Sequence, residues 1–195
     1  VHARQWLGQG KPASYIPELS KADPNHLAVA ITGLDGSTFS AGNSDVRFTI
    51  QSISKTVILI TAIRLYGYEN VFARVGMEPT GDPFNSIVRL ETMQSRRPLN
   101  PMINAGAISV TACIPGSTPE ERFGFILENA RLLAGDSTLD YDRKVYRSES
   151  RTGDTNRAMA YMMRANGVIE GNVEEHLDTY FKACSILASC RQISR

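Results

Sequence analysis

The chain has 195 residues, of which 42% are hydrophobic and 21% charged, and a net charge of +1. These values describe a soluble globular protein with one domain, residues 1–195, and no internal boundary. They argue against an electrostatic nucleic-acid surface, and the longest apolar run, Val57 to Ile63, is far short of the roughly 20 residues that span a membrane.

The first half mixes strands and helices. His26 to Leu34, Asp35-Gly36, then Ser37 to Ser40 reads as strand, tight turn and strand. Val46 to Ile50 reads as a short extended stretch. Ser52-Ile53-Ser54-Lys55 then opens an apolar helical run, Thr56 to Leu65. Gly76 to Asn104, rich in Pro, Gly and Asn, predicts a long ordered loop that includes the doublet Arg96-Arg97.

The second half reads as nearly all helix. Thr118-Pro119-Glu120-Glu121 is a capping box with proline at the first helical position. It starts a helix with Phe123, Ile126, Leu127, Ala130 and Leu133 on one face, ending before Gly135. After a break at Asp136 to Thr138, Leu139 to Tyr146 predicts a short helix. Thr152 to Asn166 predicts an amphipathic helix with Ala158, Tyr161, Met162 and Ala165 inward, stopping at Gly167. Met159, Met162 and Met163 suit core filling. Asn172 to Leu187 predicts a further helix, broken late.

Cys113, Cys184 and Cys190 are an odd set, which suggests reduced thiols and a cytoplasmic setting rather than a disulfide framework. Cys184 and Cys190 read as buried core. His2, His26 and His176 lack metal-ligand spacing, and no zinc motif, phosphate loop or dinucleotide fingerprint is present. The implied chemistry needs no metal and no cofactor.

Ser52-x-x-Lys55 is the one Ser-x-x-Lys in the chain. Residues three apart on a helix share a face. A lysine desolvated at the start of a buried helix has a lowered pKa. As a neutral amine it can act as general base for the serine hydroxyl, the Ser-Lys form of nucleophilic catalysis. The alternative local reading makes Ser52 an ordinary N-cap and Lys55 a solvated side chain.

Several strings decide between these readings. In chain order they are Gly10-Lys11-Pro12-Ala13-Ser14-Tyr15-Ile16-Pro17-Glu18-Leu19, Phe48-Thr49-Ile50-Gln51-Ser52-Ile53-Ser54-Lys55, Arg74-Val75-Gly76-Met77-Glu78-Pro79-Thr80-Gly81 and Phe84-Asn85-Ser86-Ile87-Val88. Asn100-Pro101-Met102-Ile103-Asn104-Ala105-Gly106-Ala107, Ser148-Glu149, Asn156-Arg157 and Tyr180-Phe181 ahead of Ser189-Cys190 follow. Together they resemble the serine-dependent glutaminases, over nearly the whole chain from about Gly8. The resemblance implies an α/β fold of the α+β, β-lactamase-like type, with N-terminal strands plus a helical subdomain. It implies hydrolysis of L-glutamine to L-glutamate and ammonia through an acyl-enzyme, and a homo-oligomer, dimer or tetramer. Carried over by position, Ser52 is the nucleophile and Lys55 its base, with Tyr15, Asn104, Glu149, Asn156 and Tyr180 around the substrate. The residue types fit: Glu149 suits the α-ammonium, while Asn104, Asn156 and the tyrosine hydroxyls offer neutral donors to the carboxylate and amide oxygen. Each also has a plain structural reading: Tyr15 as a surface-helix residue, Asn104 as an N-cap, Glu149 and Asn156 as solvated side chains, Tyr180 as core.

The chain departs from the family pattern at its end, Ser189 to Arg195. There the family continues with a further site tyrosine, a Lys-Ser-Gly strand and a backbone N–H of the oxyanion hole. The C-terminal sheet strands are thus expected to be missing, leaving a two-stranded hairpin that is marginal alone. Losing one oxyanion donor costs on the order of 10²–10³ in rate. The expectation is an N-terminal portion of a glutaminase with little activity of its own. Two alternatives stay open: a penicillin-recognising Ser-x-x-Lys hydrolase, although its Ser-x-Asn, Tyr-x-Asn and Lys-Thr-Gly motifs are not evident, and a non-catalytic subunit docking on a full-length glutaminase.

Overall fold

The computed structural model describes residues 2–87 and 97–195. The middle of the expected 76–104 loop, including Val88 and Arg96, lies outside the described residues. The flanks of that loop carry no helix or strand. They are tied together by backbone bonds from Gly76 to the Pro98 carbonyl (2.8 Å), from Glu78 to that of Leu99 (3.0 Å) and from Asn104 to that of Phe84 (2.8 Å).

Strands β1 (Ala28–Thr32) and β2 (Thr38–Gly42) form the expected antiparallel hairpin, with Ile31 opposite Phe39. The Asp35 carboxylate accepts from the Ser37 N–H (3.0 Å) and fixes the turn. The extended stretch before Ser52 is β3 (Arg47–Thr49). Its partner, β4 (Leu187–Ser189), was not expected.

Eight helices follow among the described residues: α1 (Ser54–Tyr66), α2 (Tyr68–Arg74), α3 (Asn104–Ala112), α4 (Pro119–Ala134), α5 (Arg143–Thr152), α6 (Asp154–Ala165), α7 (Val173–Cys184) and the short α8 (Cys190–Ile193). The architecture is mixed α/β, N-terminal strands against a helical body, with two separate two-stranded sheets.

Helix α3 is the axis of the body. Its run Ala105 to Thr111 is buried, and α1, α6 and α7 pack around it. Small side chains allow that close approach, and the Thr111 hydroxyl is satisfied within the helix by the Ala107 carbonyl (2.8 Å). Gly106 is sterically required: a Cβ there would lie 1.9 Å from the Asn100 carbonyl oxygen. The loop before α3 is therefore pressed onto the helix.

Local signals set several boundaries. Thr118 Oγ1 accepts from the Glu121 N–H (3.2 Å), and the Glu121 carboxylate accepts from the Ser117 N–H (2.7 Å), one residue upstream of the expected box partner. Gly135, at φ 62°, ends α4 in the left-handed conformation.

Other expectations are corrected. Leu133 is exposed. Leu139 to Asp142 is extended, with Tyr141 bridged to Ile186, and the helix starts only at Arg143 because Asp142 caps the N–H groups of Lys144 and Val145. Helix α6 turns Met159, Ala160 and Met163 inward, while Ala158, Tyr161 and Ala165 face out. Bonds from Arg157 and Tyr161 to Glu174 hold it in that rotation. The predicted helix to Leu187 stops at Cys184 because the Leu187 N–H bonds to the Asp140 carbonyl and the Ile186 carbonyl accepts from Ile50.

Candidate active site

The chain reverses from β3 into α1 through a single 3-10 turn, Gln51–Ile53. Gln51 enters it at φ 47°, the one described non-glycine residue with positive φ. This presents Ser52 outward at the rim of a cavity of about 330 Å³. No side-chain capping bond is made at the start of this turn or of α1, so Ser52 is not an N-cap.

Lys55 is only 3% exposed, which rules out the solvated reading. Its Nζ donates to the Met102 carbonyl (2.9 Å) and to Asn104 Oδ1 (2.8 Å), and lies 5.2 Å from the centre of the Phe84 ring. Burial lowers its pKa, and the Cys184 thiol opposes that weakly. Helix α3 begins at Asn104, whose side chain is not a cap: it accepts from Lys55 and passes its own N–H to Asn156 Oδ1 (3.1 Å). A continuous polar line thus runs from Lys55 to α6.

The far wall comes from α5 and α7. Glu149 is 7% exposed, and its Oε2 has no hydrogen-bond partner. Burial pushes its pKa up to about 8. Tyr180, 2% exposed, also lines the cavity, and burial holds its phenol well above the ordinary range. Tyr15, by contrast, is 68% exposed, and its hydroxyl donates to Gln51 Oε1 (3.0 Å).

The cavity lining brings together Tyr15, Ser52, Asn104, Glu149, Asn156 and Tyr180, with Lys55 beneath it through Asn104. Sequence reasoning missed Gln51, for which it had no signal, since nothing in a glutamine foretells a positive φ. Cys184, read as core, is buried but also lines the cavity, as do Phe84 and Asn85. A larger cavity, about 660 Å³, lies between the N-terminal segment and β3–β4 and shares Tyr15 and Gln51 with the first. It holds neither Ser52 nor Glu149.

The sequence profile of one family, described as Glutaminase, matches residues 10–195. The chain belongs to the glutaminase family. It is 50% identical over 192 residues to a glutaminase of Clostridium botulinum (strain Kyoto / Type A2), covering 98% of this chain and 63% of the relative. It is 51% identical, over the same spans, to Glutaminase 2 of Clostridium perfringens (strain 13 / Type A). The chain therefore spans less than two thirds of the length of these curated relatives.

Among solved structures, it matches the probable glutaminase ybaS with a TM-score of 0.91 at 36% identity, over 98% of this chain and 61% of that one. A Bacillus subtilis probable glutaminase complexed with 6-diazo-5-oxo-L-norleucine matches with a TM-score of 0.84 at 33% identity, over 96% and 56%. Mglu in its L-glutamate binding form matches with a TM-score of 0.89 at 36% identity, over 98% and 43%. The fold is that of the family, N-terminal strands and helical body, with no closed C-terminal sheet among the described residues. None of the helices described is long and apolar enough to cross a membrane.

Proposed function

We propose that this protein hydrolyses L-glutamine to L-glutamate and ammonia, with Ser52 as nucleophile and Lys55 as its base. The observation that carries the reading is the Glu149 carboxyl: buried, unpartnered and lining the same small cavity as Ser52. A buried carboxylate without a partner is costly. A ligand ammonium would supply the partner.

The hydrogen bonds around Lys55 support this chemistry. A neutral lysine amine has two N–H donors and one lone pair. The Met102 carbonyl and Asn104 Oδ1 account for both donors, which leaves the lone pair for the Ser52 proton. Ser52 Oγ then bonds to the side-chain amide carbon. Lys55 passes the proton to the departing nitrogen, the C–N bond breaks and ammonia leaves. Water, deprotonated by Lys55, attacks the ester; the bond to Ser52 Oγ breaks, Lys55 returns the proton to that oxygen, and glutamate is freed. In this reading Glu149 pairs with the α-ammonium, and Asn104, Asn156, Tyr15 and Tyr180 orient the remaining polar groups.

The reading extends to the molecule as a whole: one domain over residues 1–195, a homo-oligomer as its family suggests, and a cytoplasmic setting, supported by the free thiols of Cys113, Cys184 and Cys190. Ammonia release from L-glutamine, measured for the protein and for Ser52→Ala, tests the reaction. Release that persists without Ser52 overturns the nucleophile. Calorimetric binding of L-glutamine to Ser52→Ala tests the pocket independently of turnover, and no binding there overturns the substrate.

A further inference from the structure

Gln51 stands next to the proposed nucleophile in a conformation that non-glycine residues avoid, φ 47°. Such backbone is strained and persists only where its surroundings over-determine it. Here the side-chain amide does so. Its Nε2 donates to Thr49 Oγ1 (3.0 Å) and points at the Cys184 carbonyl (3.5 Å), and its Oε1 takes the Tyr15 hydroxyl proton (3.0 Å). One amide thus joins the end of β3, the end of α7 and the N-terminal segment at the turn that carries Ser52.

The orientation of that amide is not free. The Cys184 carbonyl can only accept, so the nitrogen must face it and the oxygen must face Tyr15. Tyr15 therefore has to donate, and a phenol has one proton. With that proton committed to Gln51, the oxygen has only acceptor capacity left for whatever enters the cavity that Tyr15 lines. This reverses the expectation that Tyr15 serves as a donor to the amide oxygen or carboxylate.

We propose that Gln51 is a positioning and specificity-determining residue, which fixes the Tyr15 phenol as an acceptor and so selects a ligand with an N–H at that point, a carboxamide over the corresponding ester. The inference rests on the glutamine reading of the cavity. An ester oxygen placed there would meet lone pair with lone pair, and sites built around one polar group reject analogues that lack its complement.

Two measurements on the same samples test it. In the first, Tyr15 is followed by NMR of ¹³Cζ-labelled tyrosine as pH is raised, with Tyr15→Phe identifying the resonance. Donation to Gln51 favours the protonated phenol. Gln51→Met should therefore lower the Tyr15 titration midpoint, and an unchanged midpoint overturns the proposal. In the second, calorimetry on the Ser52→Ala background compares L-glutamine with L-glutamate γ-methyl ester. The preference for the amide should fall about tenfold in Gln51→Met and in Tyr15→Phe, with no further fall in the double variant. Tyr15→Phe leaves the strained turn untouched, so this arm stands even where Gln51→Met folds poorly. A preference unchanged in Tyr15→Phe overturns the proposal, whereas a change in overall affinity alone would mark a merely structural role. If neither compound binds, the glutamine reading fails and the specificity claim with it. A lowered midpoint in that sample would still establish the hold of Gln51 on Tyr15.

Discussion

The helical body and the β1–β2 hairpin handle their apolar residues in opposite ways. In the body, Ile108 and Leu177 are at 0% exposure, and α3 is enclosed by α1, α2, α6 and α7. In the hairpin, Val29, Ile31 and Phe39 stand in the open, Phe39 at 72% exposure. Among the described residues the hairpin is covered on one side, where α8 packs on β1 and the Thr32 and Ser194 hydroxyls meet at 2.8 Å. A helix can be wrapped on all sides by its neighbours, but a two-stranded sheet packed against one layer must leave its other face to solvent. The proposed chemistry sits almost wholly on the enclosed side. Of the site residues only Tyr15 comes from the open, N-terminal segment. This division makes sense physically, because a lowered lysine pKa and a raised glutamate pKa both require exclusion of water.

That contrast can be broken at graded cost. Ser52→Ala should abolish any ammonia release while leaving thermal unfolding unchanged, since the side chain is exposed at the cavity rim. In the body, Ile108→Ala should cost about 2–5 kcal/mol in denaturant unfolding, through lost burial and the cavity left behind.

Glu149 offers a pH test of enclosure. Its pKa rises from the ordinary carboxylate range to about 8 in the folded state. The folded protein then holds a proton that the unfolded chain releases. Stability from this group is therefore fully present below the unfolded pKa, about 4.3, and is lost as pH rises toward and through 8. The loss should amount to a few kcal/mol, on the order of magnitude set by that shift. Unfolding measured at pH 5 and at pH 8.5 should show it, and Glu149→Gln should flatten the difference between the two. An equal slope in the variant would mean that the carboxyl is not enclosed. The same logic predicts that an ammonium ligand, by ionising Glu149 on binding, releases a proton below pH 8, which calorimetry in buffers of different ionisation enthalpy detects.

Smaller effects complete the series. Thr118→Ala removes the cap of α4 and should cost about 1 kcal/mol. Val29→Ser, on the open face of the hairpin, should change unfolding by no more than about 0.5 kcal/mol. A loss several times larger would show that this face is covered in solution, and would erase the contrast between the two regions.

How far these features could be read from residues alone depended on how local their causes are. The hairpin turn at Asp35-Gly36 and the α4 boundaries at Thr118 and Gly135 follow from groups acting on backbone within a few residues. The ordered strings that mark the family likewise named Tyr15, Ser52, Lys55, Asn104, Glu149, Asn156 and Tyr180, all of which except Lys55 line one cavity. Strand β4 was out of reach, because its apolar residues suit a helix end equally well and only β3, some 140 positions away in sequence, supplies the competing backbone partner. The inward face of α6 missed by about one residue for a similar reason, since Glu174 on the next helix sets its rotation. Glu149 is the sharpest case. Its polar neighbours Ser148, Ser150 and Arg151 suggest a solvated side chain, and the packing of α5 against α7 and the Pro17–Lys21 turn removes water from it. Sequence by itself determined which groups are available and which short segments cap, turn or coil. Tertiary structure decided which of those groups lose water and which proton each hydrogen bond commits, because desolvation and donor–acceptor pairing depend on neighbours that are distant along the chain.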